Sequence, residues 1–247
     1  MDKVLYLASS AGKEIMFAQT QNANNLANSN TIGFKEDLAY AKSLPVYGPG
    51  LDSRVYTITE GKSSDVTSGS LMTTGRELDV AINGKGWFAV QGLDGTEGYT
   101  RAGDLRVTPS GMLTTAAGHP VFGNSGAPIT IPPYEKLEVG TDGTISIRPI
   151  GQAPATLAVV DRIKMVQPDE TKISKSEDGL FRMSDGTTAV ADARISMTSG
   201  VLETSNVNVV SSMVSMMELA KKFEMQIKVM EKANELDTAS QQIMKMN

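Results

Sequence analysis

Val209-Val210-Ser211-Ser212-Met213-Val214-Ser215-Met216-Met217-Glu218-Leu219-Ala220-Lys221-Lys222-Phe223-Glu224-Met225-Gln226-Ile227-Lys228-Val229-Met230 decides the fold. Val209, Met213, Met216, Ala220, Phe223, Ile227 and Met230 recur at alternating steps of four and three, the spacing of an apolar seam on a helix. Between Asn208 and Asn247 there is neither Pro nor Gly, so the pattern predicts one helix of about 38 residues, roughly 55–60 Å at 1.5 Å per residue. Asn234, Asp237 and Gln241 continue the stripe in polar form before Met244. Acids and lysines balance along it, with Glu218–Lys222 and Glu224–Lys228 as favourable pairs four apart. A membrane-surface helix would carry a basic polar face, and this one does not. Burying each Met, Phe or Ile is worth roughly 1.5–3 kcal/mol, which a lone helix in water cannot collect. The seam must therefore meet another surface, and methionine suits irregular contacts with non-equivalent neighbours.

The other end of the chain offers a partner. From Lys3 to about Asn28 there is no Pro and a single Gly, Gly12. Val4, Ala8, Ala11, Ile15 and Ala18 follow the same four-three rhythm, continued by Asn22 and Asn25. Small residues on such a seam permit close approach of a second helix. The run Asn24-Asn25-Leu26-Ala27-Asn28-Ser29-Asn30 then ends the helix, because Asn side chains compete with the backbone ladder, and Gly33 supplies a left-handed stop.

The middle reads differently. Residues 36–70 form an extended connector: Leu44-Pro45-Val46-Tyr47-Gly48-Pro49-Gly50 cannot be helix, and Val55-Tyr56-Thr57-Ile58-Thr59 has a strand pattern. From 71 to 200 short strands alternate with Gly and Pro. Leu78 to Ile82 and Trp87 to Val90 flank Asn83-Gly84, a hairpin-turn signal, and Leu137 to Val139 and Ile145 to Ile147 flank Asp142-Gly143. Pro109-Ser110-Gly111 and Asp185-Gly186 punctuate further strands. The expectation is an α+β chain: terminal helices forming a coiled-coil-like module around a central antiparallel β domain. The expected division is 1–35 as N-terminal helix and turn, 36–70 as connector, 71–200 as β domain and 201–247 as C-terminal helix packing on 1–35.

Composition removes most other classes. With 247 residues, net charge −5 and a pI near 5.0, nothing favours nucleic acid or an anionic lipid surface. No run approaches the roughly 18 apolar residues of a membrane helix. Met1 to Ala11, interrupted by Ser9 and Ser10, lacks the pattern of a cleavable secretory signal. The chain has no Cys, which excludes disulfides and thiolate sites and fits either redox compartment. Its single His, His119 in Gly118-His119-Pro120, reads as a surface or turn residue rather than a triad member. Gly84-Lys85-Gly86 lacks the spacing of a phosphate loop. Trp87 reads as core. The expectation is no catalytic residue, no cofactor and no metal.

Four stretches resemble the rod, hook and hook-associated proteins of the bacterial flagellum. They are Asn24-Asn25-Leu26-Ala27-Asn28 with Thr31-Ile32-Gly33-Phe34-Lys35; Gly69 to Gly75 leading into Leu78 to Phe88; Gly98-Tyr99-Thr100-Arg101-Ala102-Gly103; and Gly200 to Asn208. They span nearly the whole chain in the family's order. The length leaves no room for the large extra domains of hook proteins, yet a full β domain is present, so the chain resembles a rod subunit, with the proximal rod preferred over the distal.

The resemblance implies a structural subunit that polymerises through axial terminal helices while the β domain faces outward. Its implied partners are copies of itself, other proximal and distal rod proteins and the flagellar type III export apparatus, with no nucleic acid and no membrane insertion. Its implied place is the periplasm-spanning basal body, reached without a cleavable signal. The expected assembly interface comprises Val4, Ala8, Ala11, Ile15, Ala18, Asn24, Asn25, Leu26, Asn28, Val209, Met213, Met216, Ala220, Phe223, Ile227 and Met230. Competing readings are a distal-rod subunit, a monomeric β-domain scaffold whose helices form only an internal hairpin, and an enzyme built on His119.

Overall fold

The structure is a computed structural model that describes residues 2–45, 55–151 and 157–245. The chain divides into two compact units, one of residues 1–27, 37–63 and 208–247, the other of residues 28–36 and 64–207. The connector reading at Val46 to Gly50 lies outside the described residues, as does the side chain of Val4.

The first unit contains helix α1 (Asp2–Ala27), helix α2 (Val209–Lys245), and a two-stranded sheet of Asp37–Pro45 and Val55–Ser64. Both helices match the seams read from the sequence in extent. Asn208 caps α2 by accepting from the Ser211 N–H at 3.1 Å. Two cross-helix bonds fix the pairing: Gln226 Nε2 donates to the Ala8 carbonyl at 3.1 Å, and Asn22 Nδ2 donates to the Ser212 carbonyl at 2.7 Å. Moving fourteen residues up α1, from Ala8 to Asn22, moves the contact fourteen residues down α2, from Gln226 to Ser212. The helices are therefore antiparallel. At this register the start of α1 lies opposite about residue 232, so the last turns of α2 overhang by about 20 Å.

The strand pairs of the second unit are antiparallel among the described residues. Its main sheet runs in the order Met165–Val166, Trp87–Gln91, Glu97–Thr100, Phe181–Met183, Ile173–Lys175. A three-stranded sheet runs Ala158–Arg162, Thr144–Pro149, Tyr134–Val139. Here the Asp142-Gly143 turn closes the expected hairpin, with Ile145 opposite Val139 and Ile147 opposite Leu137. Three two-stranded pairs complete the unit: Val80–Asn83 with Ser196–Ser199, Leu71–Thr73 with Val201–Glu203, and Leu105–Val107 with Leu113–Thr115.

One expectation fails here. Asn83-Gly84 does not join a hairpin, because Val80–Asn83 pairs with Ser196–Ser199 while Trp87–Gln91 joins the main sheet. Val80, Ala81 and Ile82 are all buried, so this strand is covered on both faces rather than alternating. Gly84 at φ 78° and Gly86 at φ 153° let the chain leave one sheet and enter another, and a Cβ on Gly86 would press Ile195 at 3.1 Å.

The core has two parts. Val80, Ile82, Phe88, Leu113, Ile145, Ile147 and Met197 belong to the larger cluster. Trp87, Ala89, Tyr99, Phe122, Val166 and Phe181 form the smaller one, with the Trp87 and Phe181 rings 4.5 Å apart. Trp87 is thus core, as read from the sequence. His119 is not a surface residue: although Ala116, Ala117 and Gly118 before it are exposed, it is buried, with Nδ1 3.2 Å from the Gln91 carbonyl.

Candidate assembly surface and terminal clasp

Pairing α1 with α2 covers only part of the apolar surface of either helix. On α1, Ala8 and Gly12 are buried and Ala11, Ile15, Ala18, Asn22 and Leu26 are half-buried. A Cβ on Gly12 would sit 4.0 Å from Gln226 Cγ, so the helices approach closely there. On α2 the stripe least exposed is Ser212, Met216, Leu219, Phe223, Gln226 and Met230. Of the expected seam, Met216, Ala220, Phe223 and Met230 are half-buried, while Val209, Met213 and Ile227 remain 37%, 50% and 37% exposed.

The outer faces carry apolar residues that the sequence reading did not single out. On α1 these are Tyr6, Leu7, Met16 and Phe17; on α2 they include Val210, Val214, Met217 and Met225. Tyr6 and Phe17 lie three turns apart on one side of α1. Val210, Val214, Met217, Lys221 and Met225 follow spacings of three and four on α2. That period was visible in the sequence, but the seam through Val209 and Met213 is richer in apolar residues and masked it.

The Asn-rich segment is structural in its own right. Asn25 is buried and grips the backbone of Asp37 from both sides, accepting from its N–H at 2.9 Å and donating to its carbonyl at 2.8 Å. Asn24 is exposed and Asn28 half-buried, the latter accepting from the Thr31 hydroxyl at 3.1 Å and, through its carbonyl, from the Thr31 N–H at 3.1 Å.

The second unit brings together residues next to both helices. Gly33 donates to the Glu203 carbonyl at 2.8 Å, Glu36 N–H donates to Asn206 Oδ1 at 2.8 Å, and Asn206 Nδ2 donates to the Asp65 carbonyl at 2.9 Å. Gly33 adopts φ 67°, and a Cβ there would lie 2.3 Å from the Ala102 nitrogen, so only glycine fits. At the centre Glu203, 1% exposed, takes Lys35 Nζ on Oε1 at 2.6 Å and Arg101 Nη1 on Oε2 at 2.9 Å. Oε1 also accepts from the Gly69 N–H at 3.0 Å. Lys35 Nζ also donates to the Thr67 carbonyl, 2.7 Å away, and Arg101 Nη2 reaches the Gly84 carbonyl at 2.7 Å. The Arg101 guanidinium lies 5.6 Å from the centroid of the Trp87 ring. Burial pushes the Lys35 and Arg101 pKa values down, and the Glu203 carboxylate opposes that shift in both.

This cluster unites all four stretches singled out in the sequence analysis: Thr31 to Lys35, Gly69 to Phe88 through Gly69, Gly84 and Trp87, Tyr99 to Gly103, and Gly200 to Asn208. The sequence marked the stretches but not the ion cluster, because nothing local announces that a lysine and a glutamate so far apart in the chain will be buried together. Among the described residues no group of acids and His is arranged to hold a metal ion, and no helix is long and apolar enough to cross a membrane.

Comparison with known proteins gives one consistent answer. Residues 81–147 match the family model described as the flagellar hook protein FlgE/F/G D1 domain, and residues 198–243 match the one described as the flagellar basal body rod FlgEFG protein C-terminal. The flagellar basal-body rod protein FlgF of Salmonella typhimurium is 40% identical, with 100% of each chain covered. The FlgF proteins of Escherichia coli and Caulobacter vibrioides are 39% and 35% identical, covering 100% and 97% of each chain respectively.

Proposed function

The chain belongs to the FlgF family of flagellar basal-body rod proteins and is a structural subunit of that rod, and on this ground we propose that it builds the proximal rod by polymerising through its terminal helices. The observation that carries this reading is the apolar surface left open after α1 and α2 have packed on each other. Tyr6 and Val210 are 72% and 71% exposed, and Met213, Met217 and Met225 are each at least half exposed. An internal hairpin alone would have no use for a second apolar face, which costs solubility unless something covers it. Two different outer faces, one on each helix, suit heterologous contacts that propagate helically rather than close. The α2 overhang adds a surface with no α1 opposite it, where Leu236 is 60% exposed.

In this reading the four-three spacing makes the helix pair coiled-coil-like, and the interface includes Val4, Ala8, Ala11, Ile15, Ala18, Asn24, Asn25, Leu26 and Asn28 together with Val209, Met213, Met216, Ala220, Phe223, Ile227 and Met230. The outward residues Tyr6, Phe17, Val210 and Met217 join them. Partners are further copies of this chain and other rod proteins. Transit is through the flagellar type III export apparatus, a route that the absence of cysteine suits, since the chain meets reducing and oxidising compartments without altered covalent structure.

The experiment is Met217→Asp, which charges the outer face of α2 and leaves the inner stripe intact. Purified variant protein should keep its β signature by circular dichroism, while isolated basal bodies from cells carrying it should lack the chain and the cells should not swim. Phe223→Asp should give the same loss of incorporation by disturbing the helix pair. Normal incorporation and motility of Met217→Asp would overturn the assignment of the outer face.

A further inference from the structure

The buried ion cluster holds two cations and one carboxylate. Lys35 and Arg101 are 1% and 3% exposed, and Glu203 serves both. A buried charge without a full counter-charge is expensive, and beyond Glu203 the carboxylates acting on Lys35 and Arg101 are Asp65 and Glu170, each a weaker influence than Glu203. Of the donors on the Arg101 guanidinium, Nη1 and Nη2 are engaged, but Nε is buried and has no hydrogen-bond partner.

Arg101 also lines a cavity of about 230 Å³, together with Thr67, Ser68, Lys85, Trp87 and Glu170. Liquid water occupies roughly 30 Å³ per molecule, so the space is large enough for a small polyatomic ion with its waters. Its charged lining is Arg101, Lys85 and Glu170, two cations against one anion. Lys85 Nζ and Glu170 Oε1 pair at 2.9 Å, and both side chains are substantially exposed. The Trp87 ring supplies an apolar wall beside the guanidinium.

We propose that this cavity binds a small carboxylate, held by the positive charge of Arg101 and Lys85 beside Trp87 and in competition with the Glu170 carboxylate. The carboxylate can be a free ion or an acidic side chain presented by a neighbouring chain, and the two share the same chemistry. Glu170 is a resident competitor: removing its charge frees Lys85 and should strengthen binding. The proposal does not depend on how the terminal helices assemble.

The test uses the full-length soluble protein. Trp87 is its only tryptophan, so intrinsic fluorescence reports directly on the cavity wall. Sodium acetate and, separately, N-acetylglutamate amide replace sodium chloride at constant ionic strength. A saturable fluorescence change is expected with both. Equal affinity assigns the pocket to free ions, and at least tenfold tighter binding of the glutamate derivative assigns it to a chain-borne carboxylate. Lys85→Gln should weaken binding by about tenfold and Glu170→Gln should tighten it by a similar factor, each the scale of one nearby charge. Both side chains are substantially exposed, so neither change threatens the fold. No saturable change, or a change that neither variant alters, would overturn the proposal.

Discussion

Replacing Glu203 by Gln keeps the shape of the side chain and removes its charge, which isolates the electrostatic part of the clasp. The wild-type carboxylate meets Lys35 Nζ at 2.6 Å and Arg101 Nη1 at 2.9 Å, with both cations out of contact with bulk water. Glutamine can still accept one bond but offers an NH₂ where the other cation donates. Two buried cations then face each other with no carboxylate between them. Breaking a buried pair in this way costs about 3–5 kcal/mol, and here one change breaks two. Against a typical total stability of about 5–15 kcal/mol the loss is large. It corresponds to a fall in Tm of roughly 6–20 °C for a chain of this size. Urea and thermal unfolding at pH 7 measure it. Lys35→Met combined with Glu203→Gln removes one of the orphaned cations, so the double variant should be more stable than Glu203→Gln alone. A loss below about 1 kcal/mol, the scale of an exposed ion pair, or strict additivity in the double variant, would refute the reasoning.

Three further outcomes follow from the same geometry. Gly33→Ala places a Cβ 2.3 Å from the Ala102 nitrogen in a left-handed conformation, so it should cost at least about 3 kcal/mol in urea unfolding, whereas Gly84→Ala, at φ 78° in open space, should cost about 1 kcal/mol. Asn25→Ala leaves the Asp37 N–H and carbonyl without their side-chain partners, about 1–3 kcal/mol each where they stay buried, and should speed amide exchange at Asp37 before it alters the β unit. Burial raises the Tyr99 phenol from 10.0 to about 12, so the folded chain holds its proton while the unfolded chain releases it. Stability from this group is complete below pH 10 and declines between about pH 10 and 12; Tyr99→Phe should remove that part of the alkaline decline, and absorbance at 295 nm should show one tyrosine titrating late.

The parts of the fold legible in the sequence are those set by local rules. A stretch without Pro or Gly that carries a four-three apolar stripe reads as one long helix, and Val209–Lys245 is that helix; Asp142-Gly143 between two alternating strands closes a hairpin whose partners are near neighbours in sequence. Asn83-Gly84 carried the same local signal and misled, because Asn83 pairs with Ser196, and a pairing at that distance leaves no trace in the turn. Seam reading met a related limit. It ranks positions by apolarity, so it chose Val209, Met213 and Ile227, whereas the α1-facing stripe includes Ser212 and Gln226, polar residues whose side chain or backbone meets the facing helix through hydrogen bonds. Lys35 and Glu203 were hidden for the same reason: a charged residue reads as surface until its distant partner is known. His119 reads as a surface or turn residue from its neighbours, yet its ring turns inward to the Gln91 carbonyl while the residues before it stay exposed.

The clasp changes what helix pairing requires. Residues 28 and 207, which follow α1 and precede α2, are separated by roughly 180 residues, and closing a flexible loop of that length costs on the order of 4–5 kcal/mol beyond a constant. If α1 and α2 had to find each other across an unfolded middle, that entropy would oppose their pairing. Once the second unit has folded, Gly33 is bonded to the Glu203 carbonyl and Glu36 to Asn206, so the roots of both helices already lie together. The loop is then closed before the helices meet, and their pairing costs only the local ordering of the helices themselves. It follows that the clasp sets a hierarchy: β unit first, helix pair second. The Glu203→Gln chain, studied where its β unit is still folded, should therefore keep its helix pair intact, and only loss of the β unit should release α1 and α2 together. Amide exchange that loosened the helices in that variant while the β unit stayed protected would show that a folded β unit alone does not hold the roots together, and would refute this order.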